Sequence, residues 1–107
     1  MDTKVVVRHG QVPAEIQQTI KQKVSRLPRF FERTTAIEVI CDLEHSGQPN
    51  VEIRISAEER NDFFASDTGS NVLAALDSVV DKIERQMRRH KEKTTEHHRG
   101  RNHQPEE

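Results

Sequence analysis

Trp and Tyr are absent from this 107-residue sequence, and cysteine occurs once. A lone Cys41 excludes an internal disulfide and suits a reducing compartment. Apolar residues make up 32% of the chain against 33% charged, with four Phe as the only aromatics, so the core has to be small and mostly aliphatic. Mean hydropathy is −0.88, and no run approaches the apolar length of a membrane span. The opening "MDTKVVVRHG" has none of the apolar stretch of a signal peptide, so a soluble, cytoplasmic protein is expected. An excess of charge is missing too. Lys and Arg number 17 against 18 Asp and Glu, a net charge of −1, so the totals carry no nucleic-acid signal. Any such signal has to lie in how the charge is distributed.

What is present reads as one domain. "KVVVRH" (Lys4 to His9) is a β-branched run bounded by Gly10, a first strand. Pro13 opens a helix with Glu15 in its first turn, and Ile16, Ile20, Val24, Leu27 and Phe31 lay one apolar stripe along it. Pro28 disfavours helical backbone at Leu27, so a kink or break is expected there, with "RFFER" as a last irregular turn. From Ala36 the period changes to two: Ile37, Val39, Cys41 and Leu43 share one face. "HSGQPN" supplies a turn, Val51, Ile53, Ile55 and Ala57 alternate with polar residues, and "DFFAS" makes a short fourth strand. A second helix follows, with Asp67, Thr68 or Ser70 as possible N-caps and a stripe of Val72, Leu76, Val79, Ile83 and Met87 running to about Lys93. The expected fold is α+β in the order β-α-β-β-β-α: a four-stranded sheet with both helices packed on one face. Residues 1–94 form the domain, and 95–107, which carry no apolar side chain, read as a disordered charged tail.

The charges are sorted. On the second helix Lys82, Arg85, Arg89 and Lys93 fall on one flank of the apolar stripe, while Asp77, Asp81 and Glu84 fall on the other. A helix needing only solubility intersperses its signs to gain i,i+4 pairs. If the first helix continues past Pro28, Lys23, Arg26 and Arg33 share one of its flanks and Lys21 lies on the other, so a continuous basic ridge between the helices is expected. The open sheet face, with Glu38, Asp42, Glu52 and Glu58 opposed by Arg54, is expected to be acidic. The bland alternative is that cations near a helix C-terminus answer the macrodipole and are simply solvated. A ridge of this kind suits phosphate contacts, which bind without reading sequence.

Other constellations point elsewhere only weakly. His90, His97, His98 and His103 invite a zinc reading, but zinc needs three or four ligands held by folded structure, so no metal is expected. Cys41 lies on the inward face of its strand and reads as a small core hydrophobe without a partner base. "EERND" places carboxylates in a polar turn with no phosphate-cradling loop, and no enzyme or cofactor reading stands on it. In each of the pairs Phe30/Phe31 and Phe63/Phe64 one ring is expected in the core. The other is expected partly buried under the helix end, with base stacking as the alternative.

"NVLAALDSVVDKIERQMRRHKEK" (Asn71 to Lys93) closely resembles the second helix of the ribosome hibernation promoting factor family, also called the ribosome-associated inhibitor or sigma-54 modulation family. The likeness rests on Ala74 and Ala75, Asp77, "DKIERQ" and the closing "HKEK"; "RHGQVPAEIQQTIKQKVSRLPRFFER" resembles its first helix. Leu73 stands where the family often has an aromatic, "GSNV" replaces its usual acidic start, and Pro28 falls inside a commonly uninterrupted helix. The resemblance implies a fold shaped like double-stranded RNA-binding domains. It implies a short-form factor that binds ribosomal RNA of the small subunit at the decoding channel and blocks messenger and transfer RNA under stress. It further implies a binding function without chemistry, no membrane or small-molecule partner, and a monomer off the ribosome. Lys23, Arg26, Arg33, Lys82, Arg85, Arg89 and Lys93 are the expected rRNA contacts. A general double-stranded RNA binder and a protein-interaction regulator of a transcription factor are the alternatives.

Overall fold

The computed structural model of the chain describes residues 2–27, 34–45, 47–58 and 62–98, with side chains through His90. The elements run β1 (Asp2–Arg8), α1 (Ala14–Val24), β2 (Thr34–Asp42), β3 (Asn50–Ala57), β4 (Phe63–Thr68) and α2 (Val72–His98). The sheet order is β1-β2-β3-β4, with β1 parallel to β2 and the other pairs antiparallel. Parallel pairing of β1 and β2 requires a crossover, which α1 supplies. This is the expected α+β architecture.

Register places the inward side chains in rows across the sheet: Thr3, Ile37, Ile55 and Phe63; Val5, Val39, Ile53 and Ala65; Val7, Cys41, Val51 and Asp67. The helices close over these rows with Ile20, Val24 and Leu27 from the α1 side and Ala75, Leu76, Val79, Ile83 and Met87 from α2, in one continuous core. No polar or charged residue is buried in it among the described residues. Burying each aliphatic side chain contributes about 1.5–3 kcal/mol before chain entropy is set against it. Cys41 lies in this layer with 0% exposure, and burial pushes its thiol up to about 11. It is therefore a packing residue, as expected.

Two local features differ from the sequence expectation. The Pro13 carbonyl accepts the N–H groups of Ile16 and Gln17, each at 3.0 Å, and so starts α1, but the helix ends at Val24, ahead of Pro28. Ser25 and Arg26 make a closing turn, and Leu27, 1% exposed, still seals the core. The expected turn "RFFER", Arg33 included, lies outside the described residues. At the other end of the chain α2 continues to His98, past the expected helix end at about Lys93.

The open face is mixed in charge rather than acidic. Register puts Lys4, Glu38, Arg54 and Phe64 in one outward row, Val6, Ile40, Glu52 and Ser66 in the next, and Arg8, Asp42, Asn50 and Thr68 in the third. The parallel strand β1 thus sets the cations Lys4 and Arg8 against the β2 carboxylates Glu38 and Asp42.

Candidate nucleic-acid interface

How α2 meets the sheet is set by the short connection from β4. The Asn71 side-chain oxygen accepts the Ala74 N–H at 2.9 Å, so Asn71 is the N-cap rather than Asp67, Thr68 or Ser70. Gly69 lies against the first turn, where a Cβ would stand 2.6 Å from the Ala75 nitrogen. Asp67 is used differently. Its carboxylate accepts the Ser78 hydroxyl at 2.7 Å and the Thr68 N–H at 2.8 Å, with the Lys82 ammonium at 3.4 Å. The Ser78 hydrogen bond, then the Thr68 amide, then Lys82 hold its carboxyl below the usual range despite some desolvation.

These contacts fix which flank of α2 looks toward β4. Lys82 donates to the Ser66 carbonyl at 3.2 Å, and Gln86 donates to the Phe64 carbonyl at 2.8 Å while accepting the Phe64 N–H at 3.3 Å. The outer edge of β4 is thereby hydrogen-bonded to α2 side chains. Arg89 follows on the same flank, exposed and with no ion-pair partner among the described residues. Arg85 is exposed and pairs with Asp81 one turn earlier. Lys93 continues the series on the helical backbone.

The opposite flank of α2 faces α1. There Lys23 meets Asp77 at 3.0 Å, across the seam between the helices. Arg26 lies exposed in the turn after α1. The structure therefore brings Lys82, Arg85 and Arg89 together but sets Lys23 on the other side of α2. The expected continuous ridge between the helices is not formed by these residues. The reason is electrostatic and steric: α1 packs against the acidic flank of α2, Lys23 answers Asp77, and the basic flank is left facing outward beside β4.

Three features had no signal in the sequence. Gln86 closes the β4 edge through a contact set by tertiary packing alone. Arg54 lies over the Phe64 ring, 5.5 Å from its centroid, and Phe64 is on the open sheet face rather than under a helix end. Phe63 is the buried ring of the pair, meeting His90 edge-on at 5.7 Å. Finally, His9, Asp42 and Glu44 bring possible ligand atoms within 4.8 Å of one another. Asp42 there accepts His9 Nδ1–H at 2.8 Å and the Glu44 N–H at 3.0 Å, contacts that hold its carboxyl below the usual range, His9 first. They tie off the β1–β2 end where His9 turns with φ 60°.

A basic helix flank beside a strand edge belongs to many proteins, and comparison with known ones narrows the choice. The family described as sigma 54 modulation protein / S30EA ribosomal protein matches residues 3–95. The chain belongs to this family. Among its relatives, the ribosome hibernation promoting factor of Azotobacter vinelandii is 34% identical over 82 residues, covering 76% of this chain and 74% of the relative. That of Escherichia coli K12 is 22% identical over 100 residues, covering 91% of this chain and all of the relative (100%). Two solved structures share the fold. The N-terminal domain of Thermus thermophilus Protein Y superposes with a TM-score of 0.72 at 22% identity, covering 83% of this chain and 98% of that one. A ribosomal subunit interface protein from Coxiella burnetii gives 0.76 at 13% identity, covering 85% and 98%. This S30EA-type chain has no helix among its described residues that is long and apolar enough to cross a membrane.

Proposed function

We propose that this chain is a ribosome hibernation factor. It binds ribosomal RNA of the small subunit at the decoding channel, excludes messenger and transfer RNA from it, and so silences translation under stress. The function is binding without chemistry or cofactor, performed by a monomer in the cytoplasm. The observation that carries the reading is the outward basic flank of α2, where Lys82 is anchored on the β4 edge and Arg89 stands unpaired beside it among the described residues. Family membership and the names of the relatives supply the ribosome as its target.

Arg85, Arg89 and Lys93 make the first phosphate contacts, with Lys82 at the edge. Lys23 and Arg26 form a second set on the α1 side, and Arg33 joins the proposed contacts on the strength of the sequence alone. Such contacts release counterions, so affinity has to fall steeply with salt. Co-sedimentation with ribosomal subunits in sucrose gradients tests the reading. The double reversal Arg85→Glu/Arg89→Glu leaves the Lys82–Asp67 contact in place and is expected to weaken small-subunit binding by orders of magnitude without unfolding the protein. Unchanged binding would overturn the α2 interface. Displacement of the wild type by an equal concentration of isolated RNA duplex would instead identify a general double-stranded RNA binder.

A further inference from the structure

We infer that Phe64 and Arg54 form a stacking position for an unpaired RNA base, extending the α2 interface around the β4 edge onto the open sheet face. This rests on the ribosome-binding reading above and adds a second kind of contact to it.

Phe64 is 48% exposed, the only large apolar side chain so exposed among the described residues. A singly exposed apolar residue is ordinary. Its surroundings set this one apart. The Arg54 guanidinium lies over its ring at 5.5 Å and is oriented by Glu52 Oε2 at 3.1 Å, while the Arg54 side chain stays 56% exposed. The ring and the guanidinium are both planar, and a base can cover the free face of either.

The position is also rigid and adjacent to charge. Gln86 clamps both the N–H and the carbonyl of Phe64, so the backbone carrying the ring is tied to α2. On α2 that same Gln86 stands between Lys82 and Arg89 on one flank. A strand of RNA whose phosphates follow Lys82 and Arg89 therefore passes the β4 edge, with a base within reach of Phe64. The base has to be unpaired, because bases in a duplex have both faces occupied. Lys4, in the same outward row as Arg54 and Phe64, offers a further cation beyond the stack.

The chain has no Trp or Tyr, so the indole in the F64W variant is a unique reporter. Its emission should be quenched on titration with small ribosomal subunits, and with a single-stranded oligoadenylate at higher concentration. Phe64→Leu should weaken subunit binding about tenfold, the size of one lost base stack. Arg54→Lys, which keeps the charge and loses the plane, should weaken it several-fold with the salt dependence unchanged. Subunit binding by the F64W variant with no change in emission would overturn the stacking position and leave the ribosome reading standing. If the wild type fails to sediment with subunits, the ribosome reading falls and the oligoadenylate titration decides: quenching upholds the base site, and its absence ends both.

Discussion

Gly69 meets α2 so closely that an added Cβ would stand 2.6 Å from the Ala75 nitrogen and 2.9 Å from its Cα. Those are backbone atoms of a helix that packs on the core, and they have little room to yield. Gly69→Ala is therefore expected to cost about 1–3 kcal/mol, as overpacking does, read from the midpoint of urea denaturation. The sequence shows only a glycine ahead of a helix, a position compatible with any loose turn. The close approach is a tertiary fact and was not legible. The same holds for the cap. "DTGSN" offers several residues able to cap, and which one does so depends on where the chain leaves β4. Asp67, a reasonable capping candidate, is drawn instead to Ser78 and Lys82 because it ends the inward row of Val7, Cys41 and Val51.

Elements are where the sequence was most readable. Alternation of period two marked β2 and β3, and the apolar stripe of α2 coincides with Leu76, Val79, Ile83 and Met87, all at 0% exposure. Such faces are legible because burial acts on each residue of a regular element in turn. The joint between β4 and α2 was not, since it joins side chains from two elements, and it has a testable pH dependence. The Asp67 carboxyl is held below its usual range in the folded protein, so the folded state binds that proton less readily than the unfolded chain does. The stabilisation is thus fully present above the unfolded value, about pH 4, and is lost as pH falls through the lower folded value. Asp67→Asn should be less stable than the wild type at neutral pH, and the two urea midpoints should converge as the pH is lowered past that window. A constant gap at all pH values would mean that the contact acts through hydrogen bonding alone.

For the whole molecule, the order of elements and the sorting of charge on α2 were legible, but the way the charges assemble was not. Helical spacing fixes which residues share a flank; it does not say which flank meets a neighbour. The Lys23–Asp77 contact shows that α1 took the acidic side, which left Lys82 beside β4 and Arg85 and Arg89 exposed further along the helix. The parallel strand likewise carried Lys4 and Arg8 onto a face that β2 and β3 alone would have made acidic. One consequence of the β4 clamp reaches beyond RNA. Lys82 and Gln86 occupy hydrogen-bonding groups on one margin of the sheet, and no side chain among the described residues does the same for β1. A margin whose hydrogen-bonding groups are already taken is a poor template for a further strand. Sedimentation velocity of the concentrated wild type should accordingly show a monomer. Freeing the margin with Lys82→Met/Gln86→Leu is expected to raise the average mass of the concentrated protein, read by the same sedimentation.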